Sequence, residues 1–560
     1  MGKVKLLLCG LVFVIGFAST QIPLPTAPSW SSRDNDYSTG GAFGDIDRNG
    51  FLDFCISNGN DMAMDRNTVY FNDNGILEQT ASWRSSDSGY FGHSYLGDVN
   101  NDGLQDLAVA YLGGYPSGGD YRARIYLNSG SGFNPIPWWC SVDRHTSFDC
   151  ALGDFDLDGD LDLVISAGDV YGGRGDSARI YRNNNGLFDT LPCWSAGDSV
   201  PSDAVRFCDI DNDGDLDLFV GQRGKVTMYR NNDGVLEAMP YWVARQGIGW
   251  VLRMEFGDYD RDGFLDLAVA SNGQMGDPNS IKVFHNNNGV LDTIAIFTMQ
   301  RRNRYSSCVA WGDVNGDSYP ELAAGGWWEP VVVYANNLGV IDTTPGWQWR
   351  PANLNNLVCE ALLWTDVGNR HLVGEMESNN GNGRRRLFNL AHRPIQFLDS
   401  VLVNGSRLGY GEYCYDPHSG WVSFNRAPDS GTGNVVLFYR YSEYPDLAVT
   451  NWDRTNGNHL FMNTTTAGVK DLSGVSSGAM FEVFPNPSFG PVMIKINTPE
   501  SKPKRVRIWT QDGRLVYQRL VRDRVMVWNS KGSNGEFLPG GIYIIDVEGA
   551  RIKLVKLQKD

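Results

Sequence analysis

Six stretches of this chain concentrate carboxylates at a spacing that suits a hard metal ion. They run DIDRNGFLD from Asp45, DVNNDGLQD from Asp98, DFDLDGDLD from Asp154, DIDNDGDLD from Asp209, DYDRDGFLD from Asp258 and DVNGDSYPE from Asp313. Each fits D-x-[DN]-x-[DN]-G-x-x-[DE], with Ser318 in the glycine place of the sixth. In a tight loop the side chains at positions one, three and five turn inward, and glycine at position six permits the bend. Position seven can add its backbone carbonyl, and position nine returns a carboxylate. An all-oxygen cage of this ligand number suits Ca²⁺ better than Mg²⁺. The candidate ligands are Asp45, Asp47, Asn49 and Asp53; Asp98, Asn100, Asp102 and Asp106; Asp154, Asp156, Asp158 and Asp162; Asp209, Asp211, Asp213 and Asp217; Asp258, Asp260, Asp262 and Asp266; and Asp313, Asn315, Asp317 and Glu321. An EF-hand would need glutamate at position twelve between two helices. That position is Ile56, Val109, Ile165, Val220, Val269 or Ala324, and the EF-hand reading fails.

Charge arithmetic points the same way. The 560 residues carry a formal charge of −17. The six nine-residue loops hold 23 acidic and 2 basic residues, whereas the rest holds 42 acidic and 46 basic. The acidity is therefore confined to the loops, where carboxylates repel one another unless a cation joins them. An acidic chain of this kind is no general nucleic-acid binder. Apolar residues at 42% and charged residues at 20% describe a folded protein, and the length calls for two or three domains.

A repeat positions the loops. Their first aspartates lie 53, 56, 55, 49 and 55 residues apart. An aromatic stands 15 or 16 residues before each: Trp30, Trp83, Trp139, Trp194, Trp242 and Phe297. After each loop comes an alternating run, as in Leu161, Leu163 and Ile165, then an aromatic and an asparagine-rich turn, as in Tyr181-Arg182-Asn183-Asn184. Alternation and Asn-Gly or Asp-Gly turns predict antiparallel strands. A unit of about 50 residues with several short strands predicts a propeller blade. Trp364-Thr365-Asp366 begins a seventh block whose acidic loop has collapsed, with Leu387-Phe388-Asn389 as its later aromatic mark. Tyr444-Pro445-Asp446-Leu447 resembles the second half of a block. It belongs either to an eighth blade or to strands closing the seventh around an insertion.

The Phe-Gly-Asp starts at Phe43 and Phe256 and the D-x-D-x-D-G-x-x-D loops resemble the FG-GAP/VCBS repeats of the integrin alpha-subunit propeller and its bacterial relatives. The resemblance implies a calcium-stabilised propeller with five to six structural Ca²⁺ sites, on an extracellular protein that binds other proteins or glycans. The fold class expected is all-β: a seven-bladed or eight-bladed β-propeller followed by a small Ig-like β-sandwich. The repeats would occupy 21–390, and 391–465 would hold a β-rich insertion and the closing or eighth blade.

The ends of the chain bear on its address. Lys3, Lys5, the apolar run from Leu6 to Ala18 and the small residues Ala18-Ser19-Thr20 predict a signal peptide over 1–20. The run is too short to span a bilayer, and no other segment reaches transmembrane length. Residues 466–478, rich in Thr, Ser and Gly, read as a linker. From 479 to 560 alternating strands and Asp-Gly turns predict a small β-sandwich. Its Pro485-Asn486-Pro487 start, Asp512-Gly513-Arg514-Leu515-Val516 turn, Pro539-Gly540-Gly541-Ile542-Tyr543 segment and terminal Lys553-Leu554-Val555-Lys556 resemble, in that order, the type A C-terminal sorting domain of the type IX secretion system. That resemblance implies contact with the secretion machinery, and release outside the cell or anchoring on its surface.

Other features carry less. The eight cysteines from Cys55 onward show no CxxC pair and read mainly as buried small hydrophobes, with Cys140 and Cys150 the pair best placed for a disulfide. Arg174-Gly175-Asp176-Ser177 is an adhesion-like tripeptide in a turn. The tryptophans that keep the repeat period read as packing, whereas Trp138, Trp327, Trp328, Trp347 and Trp349 are candidates for an exposed platform. None of the seven histidines falls in a metal-ligand or catalytic spacing. The sequence thus points to a secreted or surface-displayed binding or adhesion module. A polysaccharide lyase or hydrolase on the same scaffold is the competing class, and a structural surface-layer component is the third.

Overall fold

The computed structural model describes residues 22–114, 118–168, 176–274, 276–299 and 305–465, and, near the C-terminus, 481–484, 492–496, 504–510, 514–521, 525–528, 531–532, 537–547 and 550–556. The signal-peptide, linker, Arg174-Gly175, Pro485-Asn486-Pro487 and Asp512-Gly513 readings fall outside them. The described chain is almost wholly β, with two three-residue 3₁₀ turns. No helix there is long and apolar enough to cross a membrane.

Each repeat becomes one antiparallel sheet. A buried strand runs into the acidic loop, the loop reverses the chain into a second strand, and two shorter strands follow outward. Sheet 1 is Ser38–Gly44, Asp53–Asn58, Thr68–Tyr70 and Trp83–Arg84, in that order. Sheets 2 to 6 repeat it from first strands Phe91–Gly97, Cys150–Gly153, Ser202–Cys208, Trp250–Gly257 and Ser306–Gly312. Sheet 7 draws on distant segments: Cys359–Thr365, Asp446–Asn451 and His459–Phe461, edged by Trp30–Ser31 from the start of the described chain. Trp30 pairs with Leu460 and Ser31 with His459. The half-block at Tyr444 therefore completes the seventh sheet around an insertion, and the described residues form no eighth sheet of this pattern.

Two sets of contacts link each sheet to the next and return to the start. The repeat-position aromatic on the edge strand of one sheet meets, edge on, the aromatic ending the third strand of the next. Seven such pairs, from Trp30–Tyr70 round to Trp347–Phe461, have ring centroids 5.1–6.3 Å apart. Burial and edge-to-face geometry both favour such pairs. The second set comes from the asparagine-rich turns. Asn183 Nδ2 donates to Leu161 O in its own sheet (3.1 Å) and to Val99 O in the loop of sheet 2 (2.7 Å). Asn72, Asn128, Asn231, Asn286, Asn336 and Asn463 do the same. Asn72 reaches Val367 of sheet 7 and Asn463 reaches Val314 of sheet 6, so the order closes on itself.

The insertion, 372–442, has its own two sheets. One comprises Leu372–Gly381, Gly431–Ser442, Ile395–Val403 and Ser406–Arg407, the other Leu387–Asn389, Trp421–Phe424 and Tyr413–Asp416. Phe388, Ile395, Val401, Val422, Leu437 and Tyr439 share its core. Leu387-Phe388-Asn389 thus belongs to the insertion, and Phe461 is the aromatic of the seventh sheet. The insertion and the first strands of the ring meet in a buried charge network. Asp149 takes Arg206 Nη1 at 2.7 Å and lies 3.0 Å from His93 Nδ1. Glu255 takes Arg253 at 2.8 Å and lies 2.9 Å from His418 Nε2 of the insertion. Tyr95 donates to Asp416, also of the insertion, at 2.7 Å. The surrounding cations hold Asp149 and Glu255 below the ordinary carboxylate range despite their burial.

Near the C-terminus, Phe481–Phe484, Val492–Ile496 and Val525–Trp528 form one sheet, and Leu515–Val521, Lys504–Thr510, Gly541–Val547 and Ala550–Lys556 another. A single apolar cluster, including Ile494, Ile508, Trp528 and Ile545, draws on both. All eight described cysteines are free, so the Cys140–Cys150 bridge does not form; Cys308 and Cys359, on neighbouring first strands, have sulfurs 3.2 Å apart. Trp347 and Trp349 are buried between sheets and Trp327 is buried too, leaving Trp138 and Trp328, 41% and 39% exposed, from the expected platform.

The asparagine contacts generate a direct expectation. Asn231→Ala removes two buried hydrogen bonds and strands two carbonyls, which costs roughly 2–4 kcal/mol. The exposed neighbour change Asn232→Ala costs under about 0.5 kcal/mol. Urea unfolding of the two variants measures the difference, and equal effects contradict the bridging role.

Candidate metal centres

The loops owe their shape to local backbone demands. Position four is left-handed in each: Arg48, Asn101, Leu157, Asn212 and Arg261 have φ of 59–62°, and Gly316 of 76°. Position six is also left-handed, so glycine serves there, and Ser318 adopts φ 72° in the sixth loop. The first carboxylate fastens this turn by accepting the backbone N–H of position six, as from Gly50 to Asp45 (3.0 Å), Gly103 to Asp98 (2.7 Å), Gly159 to Asp154 (3.1 Å) and Gly263 to Asp258 (3.0 Å). The bond persists at Gly214 to Asp209 (3.3 Å) and Ser318 to Asp313 (2.7 Å).

The ninth carboxylate ties the loop to the sheet. Asp53 accepts the N–H of Ile46 at loop position two and that of Asn72 in the asparagine-rich turn, each at 2.8 Å. Asp106, Asp162 and Asp266 repeat both bonds, and Asp217 repeats the second. Glu321 accepts from Val314 at 3.0 Å. These groups are buried. Burial, abetted by neighbouring carboxylates, pushes Asp53 up to about 7, Asp106, Asp217 and Asp266 to about 8 and Glu321 to about 9, and it raises Asp162 as well.

The expected ligands converge to different degrees. Asp45, Asp47 and Asp53 each offer a carboxylate oxygen within 4.8 Å of the others, as do Asp154, Asp156 and Asp162, and Asp258, Asp260 and Asp266. In loop four the converging set is Asp209, Asp211 and Asp213. Asn100 and Asn315 take position three in loops two and six, and Asn49 takes position five in loop one, so each of these loops has three ligand carboxylates where the others have four. The residues fit a hard cation on two counts. The donors are all oxygen. Asp45 Oδ1 and Asp156 Oδ1 are buried without a hydrogen-bond partner, a costly state that a cation would relieve. Neighbouring side chains already contact three of these carboxylates. Arg182 reaches Asp156 at 2.8 Å, His285 lies 3.2 Å from Asp260, and Arg385 of the insertion reaches Asp209 at 3.2 Å. His285 also converges with Asp260 and Asp262, a grouping that sequence spacing did not reveal.

The seventh loop, which the sequence shows as collapsed, is split by the insertion. Asp366 accepts from Arg370 N (3.0 Å) and His371 N (2.6 Å), as position one does from positions five and six elsewhere, and Asn369 at position four has φ 50°. Asp446, 80 residues on, is the ninth-position carboxylate, accepting from Val367 N (3.2 Å) and Asn463 N (2.7 Å). Position three is Gly368, and position five is Arg370, whose Nη2 donates to Asp446 at 2.7 Å. A side-chain cation therefore stands in the seventh loop where the others gather carboxylates.

The pH dependence follows in sign. Carboxylates raised from 3.8 to about 7–8 hold protons in the folded chain that the unfolded chain has released. Stability without metal therefore falls as pH rises from about 4 to about 8. Scanning calorimetry of the chelated chain should give a higher unfolding midpoint at pH 5 than at pH 8, and a midpoint that climbs over that range contradicts the assignment. Arg370→Gln should lower the midpoint in a way that added Ca²⁺ does not restore, because Gly368 brings no side-chain oxygen; full rescue by Ca²⁺ contradicts the stand-in.

Comparison with known families agrees with this geometry. Residues 45–109, 98–165, 209–269 and 258–324 match the FG-GAP-like repeat. Residues 482–558 match the secretion system C-terminal sorting domain. No curated protein matches the chain. The sorting domain directs export through type IX secretion to the cell surface or beyond it. The chain is therefore an exported protein built on FG-GAP-like repeats, with a type IX sorting domain at 482–558.

Proposed function

We propose that the chain is a seven-bladed, calcium-stabilised β-propeller that serves outside the cell as a protein- or glycan-binding module. The observation that carries this reading is the set of six acidic loops, each fastening a strand reversal and four of them gathering three carboxylates, in a chain addressed for export. Ca²⁺ would neutralise the buried carboxylates of loops one to six, while Arg370 serves the seventh. Its role is structural: it pins each loop to its sheet and leaves the connections between strands to make contacts. The C-terminal sheets would form an Ig-like sandwich read by the secretion machinery, after a signal peptide over 1–20 has acted and with 466–478 as the linker.

The insertion already contacts the loops of sheets 3 and 4, through Arg386 on Leu157 O and Arg385 on Asp209. The opposite ends of the sheets thus offer the freer face. Trp328 lies there, half exposed and edge on to Tyr305 at 5.2 Å. An aromatic face of this kind suits a sugar ring or an apolar side chain. Glycan and extracellular-protein arrays probed in Ca²⁺ should find a saturable ligand whose affinity drops tenfold or more in Trp328→Ala. Turnover of a polysaccharide would instead make the protein an enzyme, and self-association alone would make it a structural component.

A further inference from the structure

Between the insertion and the first strands of sheets 7, 1 and 2 lies a cavity of about 70 Å³. A second, of about 50 Å³, adjoins it and shares the walls Trp364, Thr365, Pro394 and Gln396. The larger chamber is mainly apolar, with Phe43, Leu96, Leu363, Ile395 and Pro417 around it. The smaller is polar and includes Arg393 and, from loop six, Asp313, whose two oxygens accept N–H groups of their own loop. Four polar atoms on these walls are buried without a hydrogen-bond partner: Arg393 Nη1, Trp364 Nε1, Thr365 Oγ1 and Gln396 Oε1. Trp364, Thr365 and Gln396 are 6%, 2% and 8% exposed, so water outside cannot serve them. Groups left in that state are rare in folded proteins and call for a partner.

The guanidinium at the polar end makes no direct ion pair among the described residues. Arg393 Nη2 donates to Leu390 O at 2.8 Å, and no carboxylate pairs with this guanidinium among the described residues. Arg253, which lines the larger chamber, and the nearby Arg206 are both paired with Glu255. An unpaired guanidinium beside an indole N–H and a hydroxyl repels cations and suits a carboxylate. The adjoining apolar chamber suits a short hydrocarbon body and holds water poorly.

We propose that this two-part cavity binds a small amphipathic carboxylate. Its acid group would meet Arg393 Nη1, Trp364 Nε1 and Thr365 Oγ1, with Gln396 turning either end of its amide to it. Its apolar body would lie among Leu96, Leu363 and Ile395. Because the walls come from both the insertion and the ring, the ligand would join the two. The site adjoins the sixth metal loop at Asp313 and is separate from the exposed aromatic face.

Isothermal titration of the full chain in Ca²⁺ tests this with isobutyrate as the probe and isobutanol as its neutral counterpart. Isobutyrate should bind saturably at one site, and isobutanol at least tenfold more weakly. Arg393→Gln should weaken isobutyrate tenfold or more and leave isobutanol unchanged. Should that variant not fold, Thr365→Val should weaken isobutyrate several-fold. Absence of saturable isobutyrate binding, equal binding of acid and alcohol, or undiminished acid binding in a folded Arg393→Gln or Thr365→Val variant would overturn the proposal.

Discussion

The molecule depends on one buried carboxylate repeated seven times. At Asp53, Asp106, Asp162, Asp217, Asp266, Glu321 and Asp446 an acid side chain sits where the loop meets the second strand. Five of the seven hold the N–H of loop position two together with that of the bridging asparagine, as Asp446 does from Val367 and Asn463. The loop, the second strand and the asparagine-rich turn are thereby fixed to one point. The cost is a charge removed from water, which burial resists by raising the pKa. Clustered acids around the same point make a cation the simplest remedy, and Arg370 supplies one covalently in the seventh loop.

That point also organises the ring. The asparagine whose N–H binds the ninth carboxylate sends its amide across to the loop of the preceding sheet, so each loop is tied to two sheets. The edge aromatics add an apolar contact at the same interfaces. The aromatic set closes through Trp30, which comes from the start of the described chain to finish the seventh sheet and pack on Tyr70. The insertion departs from within the seventh loop, directly after His371, and returns just before Asp446. Its His418 and Asp416 then join the buried charges of the first strands.

Local, repeated features were legible in the sequence. The six acidic loops, the strand reversal after each and the packing role of Trp83, Trp139, Trp194 and Trp242 follow from spacing and alternation alone. The asparagines were visible as turns, but their bridging was not, because it pairs a side chain with a carbonyl some 80 residues away. The seventh loop read as collapsed because the insertion separates Asp366 from Asp446 and destroys the spacing that marks the others. Leu387-Phe388-Asn389 imitates the missing aromatic mark only by composition; its strand pairs with Trp421–Phe424. The charge network of His93, Asp149, Arg206, Arg253 and Glu255 has no period, since each first strand contributes different residues to it.

Under the proposal made above, the buried loop carboxylates are completed by metal in six loops and by Arg370 in the seventh. Titrating Ca²⁺ into the chelated full chain, with bound ions counted by native mass spectrometry and unfolding followed by calorimetry, tests it most directly. About six ions per chain and a large rise in the unfolding midpoint are expected. No bound ions and an unmoved midpoint would contradict it.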